Sequence, residues 1–133
     1  MSDDGLITLP SDFSVVETID RLAALATVRG LHVFARVDHA AGTAKAGMAL
    51  RPTQLLIFGN PTGGTPLMQD RQTAGIDLPV KALAWEDADG RVWLGYNDPA
   101  WIAQRHGLGA ESSKAVAAMA AGLAALVKAA TTR

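Results

Sequence analysis

The chain has 133 residues, 49% of them hydrophobic and 19% charged, which fits one soluble globular domain with a real core. Twelve basic residues against thirteen acidic ones leave no electrostatic footprint for nucleic acid, and five per cent aromatics offer little for base stacking. The absence of cysteine excludes disulfides, thiolate catalysis and cysteine-ligated metal.

The first residues, Met1-Ser2-Asp3-Asp4-Gly5, are acidic and lack the basic and apolar regions of a secretory signal. The alanine-rich stretch 115–127, bounded by Lys114 and Lys128, is shorter than the about 20 residues that cross a bilayer. Together these features predict a cytoplasmic protein without a membrane partner.

Leu6-Ile7-Thr8-Leu9 reads as a short first strand ended by Pro10. Ser14 and Glu17 form an S-x-x-E capping box, and Val15, Ile19, Leu22 and Ala26 recur behind it at helical spacing. Gly30 stands where a left-handed C-cap belongs, so the spacing predicts a helix over residues 15–29. Residues 31–38 alternate, with Leu31, Val33, Ala35 and Val37 on one face and His32, Phe34, Arg36 and Asp38 on the other. Residues 39–46 read as a short helix closing at Gly47. Residues 53–58 are apolar on both faces and predict an interior strand. Thr65 and Pro66 read as the cap and first position of a short helix, 67–71.

Residues 80–86 and 91–97 predict a hairpin around Asp87-Ala88-Asp89-Gly90, with Gly90 at the position needing positive φ. Asp98-Pro99 starts another helix, stopped by Gly107 and Gly109, and the last helix runs over 113–130. The order β-α-β-α-β-α-β-β-α-α predicts a single α+β domain, residues 1–133, with a mixed sheet of about five strands. The early alternation of strands and helices implies crossovers and some parallel pairing.

Asp38-His39, Leu50-Arg51-Pro52, Phe58-Gly59-Asn60-Pro61, Thr65-Pro66-Leu67-Met68, Asp77-Leu78-Pro79 and Tyr96-Asn97-Asp98-Pro99 occur in the order found in the domain of unknown function 302 family. The sequence resembles that family over residues 14–107, leaving the C-terminal helix, 110–133, outside the pattern. The resemblance implies a compact α+β domain and a homodimer. It implies no activity and carries over no catalytic residue.

The strand-to-helix turn 59–65 is the main candidate site, because a glycine-rich turn at a helix start exposes N–H groups that hold anions. It has neither the Gly-Lys-Ser/Thr of a P-loop nor the G-x-G-x-x-G of dinucleotide folds. It serves either as a structural corner, with Gly63 and Gly64 supplying unusual φ, or as a site for a small anion or carboxylate. Parallel pairing of the second and third strands would bring Asp38 and His39 to the same sheet edge. His39 is then a candidate general base oriented by Asp38, against the plainer reading of Asp38 as a helix cap.

Arg51 is a candidate for charge stabilisation or for a structural ion pair, and Lys45 reads as a solvated surface charge. Tyr96 and Asn97 are candidates for a pocket mouth, and Asp98 is most simply a cap. His32, His39 and His106 lack ligand spacing, so neither a metal nor any other cofactor is expected. Val116, Met119, Leu123, Leu126 and Ala130 form a short a/d stripe that docks either on its own domain or across a dimer.

Three functions stay open on these grounds. The first is a small-ligand or anion-binding domain with Asp38, His39, Arg51, Asn60, Gly63, Gly64, Thr65 and Tyr96 as its site residues. The second is an enzyme using His39 and Arg51, and the third is a homodimeric interaction module without a ligand.

Overall fold

The computed structural model describes residues 4–133, so part of the acidic N-terminal segment, residues 1–3, lies outside the described residues. One five-stranded sheet, in the order β1-β5-β4-β3-β2, carries the fold. Its strands are β1 (Leu6–Ser11), β2 (His32–Asp38), β3 (Thr53–Gly59), β4 (Val80–Glu86) and β5 (Val92–Asn97). The helices are α1 (Val15–Val28), α2 (His39–Lys45), α3 (Pro61–Asp70), α4 (Pro99–His106) and α5 (Ser113–Thr131), with a 3-10 turn at Gln72–Asp77. The element order and the α+β class agree with the sequence pattern.

The pairing corrects one expectation. All four strand pairs are antiparallel, including β2 with β3, so the sheet has no parallel component. The short helix α2 does not carry the chain back across the sheet, which a parallel β2–β3 pair would require. Instead β3 reverses direction beside β2, with His32 opposite Gly59 and Asp38 opposite Gln54.

α1 forms where its cap and apolar spacing place it. Ser14 Oγ accepts from the Glu17 N–H at 3.1 Å, and Val15, Ile19, Leu22 and Ala26 are all buried. They pack against Leu56, Phe58, Ala82, Ala84, Leu94 and Tyr96 from the helix-covered face of the sheet. Each large side chain in that layer contributes on the order of 1.5–3 kcal/mol by leaving water. β1 continues through Pro10 to Ser11, because β1 lies at the sheet edge and one missing N–H there costs no interior ladder bond.

The alternation expected in β2 breaks at a bulge between Val33 and Ala35. Val33 pairs with Phe58 and joins the core, whereas Ala35 and Val37 pair with Ile57 and Leu55 on the opposite face. One inserted residue shifts the phase of everything after it. Arg36 consequently lies on the helix side, bonded to Asp20 Oδ1 at 2.6 Å and to Gln54 Oε1 at 2.8 Å.

α5 docks on its own domain. Leu123, Leu126, Val127 and Ala130 are buried against α1 and the sheet. The Arg21 guanidinium donates to the carbonyls of Ala129 and Ala130 at 2.9 and 3.1 Å, capping the helix end, and stacks on Phe13 at 4.1 Å. At 19 residues α5 is longer than the apolar stretch that marks it in the sequence, and by length and composition it would suffice to cross a membrane. One stripe of it, Leu123, Leu126, Val127 and Ala130, packs into the core of this domain.

Candidate functional site

Two strand-to-helix corners were singled out by the sequence, and each is closed by an Asx cap. At the first, Asp38 Oδ1 accepts from the Ala41 N–H at 2.9 Å, and its Oδ2 accepts from Gln54 Nε2 at 3.3 Å. The carboxylate is therefore committed to the start of α2 and to β3. His39, the first residue of α2, is exposed.

At the second corner, Asn60 is extended (φ −141°, ψ 150°) and its Oδ1 accepts from the Gly63 N–H at 2.9 Å. α3 therefore begins at Pro61, not after Thr65. Asparagine outranks threonine as a cap, and Pro61 pre-sets the first helical φ. Pro66 then falls inside the helix, where it offers no N–H to the Thr62 carbonyl. Gly63 and Gly64 are helical, and the unusual backbone sits one residue before the cap, at Gly59 (φ 150°).

Because β2 and β3 run antiparallel, the two corners lie at opposite ends of the sheet. Arg51 belongs to the Asp38 end. Its Nε donates to the Glu86 carbonyl at 3.1 Å, tying the entry of β3 to the end of β4. Tyr96 lies within the sheet's buried layer, between Ile7 and Ala82. Burial, and secondarily the Asp98 charge, push its phenol above the ordinary 10.0. A raised folded-state pKa stabilises the fold below pH 10, and that contribution is lost as pH rises through the folded value.

The Asn60 end opens into a half-open cavity of about 560 Å³, a size typical of small-molecule sites. α3 supplies Pro61, Thr62, Gly63, Gly64, Thr65 and Met68. α5 supplies Ala115, Ala118, Met119, Gly122, Leu123 and Leu126 from one helical face. Phe58, Leu78, Pro79 and Val80 form the floor, with Arg29, Leu31 and Phe34 on the β2 side. A Cβ on Gly63 or Gly122 would meet nothing within 4 Å, and one on Gly64 would meet only Leu78 Cδ1 at 3.6 Å. These glycines leave open space where side chains would stand.

Of the residues expected to form a site, Asn60, Gly63, Gly64 and Thr65 line this cavity. Asp38, His39, Arg51 and Tyr96 do not. Arg29, Phe34, Leu78, Met119 and Gly122 were not anticipated. A glycine in the interior of an otherwise strong helix former was the available signal at Gly122, since it costs helix stability and leaves a gap.

A second polar cluster holds the 3-10 turn to α4. His106 Nε2 and Asp77 Oδ2 are 2.6 Å apart, Thr73 Oγ1 is 3.0 Å from His106 Nδ1, and Arg105 Nη1 reaches both Asp77 oxygens at 3.0 and 3.1 Å. The His106 side chain is 7% exposed and that of Asp77 11%, so both depend on partners within the protein for hydrogen bonding. With a proton on Nε2, His106 donates to the Asp77 carboxylate, and its Nδ1 pairs with the Thr73 hydroxyl. The grouping has a hydroxyl, an imidazole and a carboxylate in line, yet none of the four lines the cavity. It fastens two elements together. Nearby, Asp70 Oδ2 accepts from Ser112 Oγ at 2.7 Å and the Gly109 N–H at 2.9 Å, and these bonds hold its carboxyl below the usual 3.8.

Residues 7–126 match the family model of the domain of unknown function DUF302, which reaches β1 and most of α5. A crystal structure of an uncharacterized conserved DUF302 protein from Bacillus stearothermophilus superposes with a TM-score of 0.84 at 20% identity, over 95% of this chain and 98% of that one. Two curated relatives are 57% identical over 126 residues. They are the fluoride-specific ion channel FluC 1 of Brucella suis biovar 1 and FluC 2 of Brucella melitensis biotype 1. The match covers 95% of this chain but 50% and 47% of those proteins, so the chain spans about half the length of the curated relatives it matches.

Proposed function

We propose that this chain, which belongs to the DUF302 family of domains of unknown function, is a binding domain for a small, largely apolar molecule held between α3 and α5. The observation that carries the reading is the 560 Å³ cavity, lined on two sides by helices and kept open by Gly63, Gly64 and Gly122. A concave, mainly apolar opening of this size with a few polar groups at one end is the usual form of a small-molecule site. Its lining favours apolar surface, and the Asn60 end adds a few polar groups that would orient a ligand.

The channel name of the relatives describes proteins twice as long. Fluoride is a strongly hydrated anion and needs many converging donors to leave water. The cavity offers mainly carbon. The reading therefore gives this chain the part of an accessory binding domain, with ion conduction left to the remainder of those longer proteins.

Titration with the neutral fluorophore N-phenylnaphthylamine tests the reading. Saturable fluorescence enhancement is expected, and Gly122→Phe should weaken it at least tenfold while leaving the melting temperature unchanged or higher, since glycine is a poor helix former. Absence of saturable binding to the wild-type chain, or undiminished binding to a folded Gly122→Phe variant, overturns it.

A further inference from the structure

Among the residues lining the cavity, Arg29 alone is charged. It follows the last turn of α1, and its backbone N–H is spent on the Leu25 and Ala26 carbonyls at 3.1 Å each. Its guanidinium has no ion pair or hydrogen bond among the described residues. Because His32 pairs with Gly59, the segment from Arg29 to β2 runs beside the exit of β3 and the start of α3. Arg29 thus shares the end of the cavity that holds Asn60 and Thr62. Asn60 spends its side-chain oxygen on the Gly63 cap, which leaves its amide group uncommitted, and the Thr62 hydroxyl is also without a partner among the described residues.

Resting on the cavity reading above, we propose that the ligand is an amphiphilic monocarboxylate. Its apolar body lies along Met68, Leu78, Met119 and Leu126, and its carboxylate meets Arg29. The charge count sets the head group. One guanidinium presents two parallel N–H donors that match a carboxylate, whereas a phosphate dianion would call for a second cation, and the lining has none. The Asn60 amide and the Thr62 hydroxyl offer further neutral donors at the same end. The size of the cavity sets the tail. At about 560 Å³ it falls in the range of small-molecule sites and suits a medium-chain or compact aromatic acid.

Competition against bound N-phenylnaphthylamine separates this inference from the reading it rests on. Decanoate, decanol and decyl phosphate share a tail and differ in head group. Decanoate should displace the probe at a concentration at least tenfold below decanol, and below decyl phosphate. Arg29→Gln should abolish that preference. Because Arg29 is exposed, the preference should also shrink as salt rises. Equal displacement by decanol and decanoate, stronger displacement by decyl phosphate, or a preference that survives Arg29→Gln overturns the inference and leaves the cavity reading standing. Failure of the probe itself to bind overturns both.

Discussion

The corners at Asp38 and Asn60 use the same local chemistry and end in different places. Each strand leads into a helix through an Asx cap whose side-chain oxygen accepts a backbone N–H three residues on, at 2.9 Å in both cases. α2, behind Asp38, buries none of its residues, and its cap serves only a short surface helix. α3, behind Asn60, buries Leu67 and faces α5 across the cavity. A helix cap is decided within four residues, but a site is decided by what the chain later lays over the corner. Here that is α5, more than fifty positions downstream. The same contrast extends to the His106 cluster, where titratable groups converge closely but only to fasten two elements.

The largest expected effect belongs to that cluster and sharpens the contrast between holding the fold and holding a ligand. Asp77→Asn removes the charge that pairs with Arg105 and weakens the bond to the nearly buried His106. Loss of such a charge-assisted network costs about 2 kcal/mol, or a fall in Tm of roughly 5 to 10 °C by calorimetry. Affinity for N-phenylnaphthylamine, measured well below the transition, should stay within twofold of wild type. A variant that keeps its Tm but loses the probe would move the cluster into the site.

Much of the fold was legible because it is written locally. The α1 face, the caps at Ser14 and Asp98, the hairpin at Gly90 (φ 81°) and the end of α4 at Gly107 (φ 64°) depend on neighbours a few residues apart. What was not legible depends on distant partners. Strand direction is one example: the alternation of strands and helices suggested crossovers, yet α2 is too short to return the chain, and β2 and β3 pair antiparallel. The β2 bulge is another, since period-two alternation in the sequence cannot show where the partner strand skips a residue. The candidate cavity was half legible. Asn60, Gly63, Gly64 and Thr65 were marked by the glycine-rich turn. Arg29 and Gly122 reach the cavity only through the β2–β3 register and the docking of α5, neither of which local spacing encodes.

A pair of cap deletions tests the two corners directly. Asn60→Ala and Asp38→Ala should each destabilise the chain by about 1 kcal/mol in chemical denaturation, the usual cost of a lost Asx cap. Only Asn60→Ala should also weaken probe binding severalfold, because the first turn of α3 lines the cavity and loses its anchor. Equal binding losses in both variants would mean that the two ends of the sheet act together after all.

The smallest effect is expected at His39, and its smallness is what makes it informative. The residue is exposed, begins a helix with no buried residues, and stands beside an aspartate already bonded to Ala41 and Gln54. A general base needs an orienting partner and a reacting atom within hydrogen-bond reach. Asp38 is occupied, and the cavity lies across the length of the β2–β3 pair. His39→Ala should therefore change unfolding free energy by less than about 0.5 kcal/mol, as for an ordinary surface substitution. It should also leave the binding isotherms for N-phenylnaphthylamine and decanoate superimposable on those of wild type. A shifted isotherm would couple His39 to a cavity at the far end of the sheet. It would restore the enzyme reading that placed Asp38 and His39 beside the glycine-rich turn, and would do so against the antiparallel register of β2 and β3.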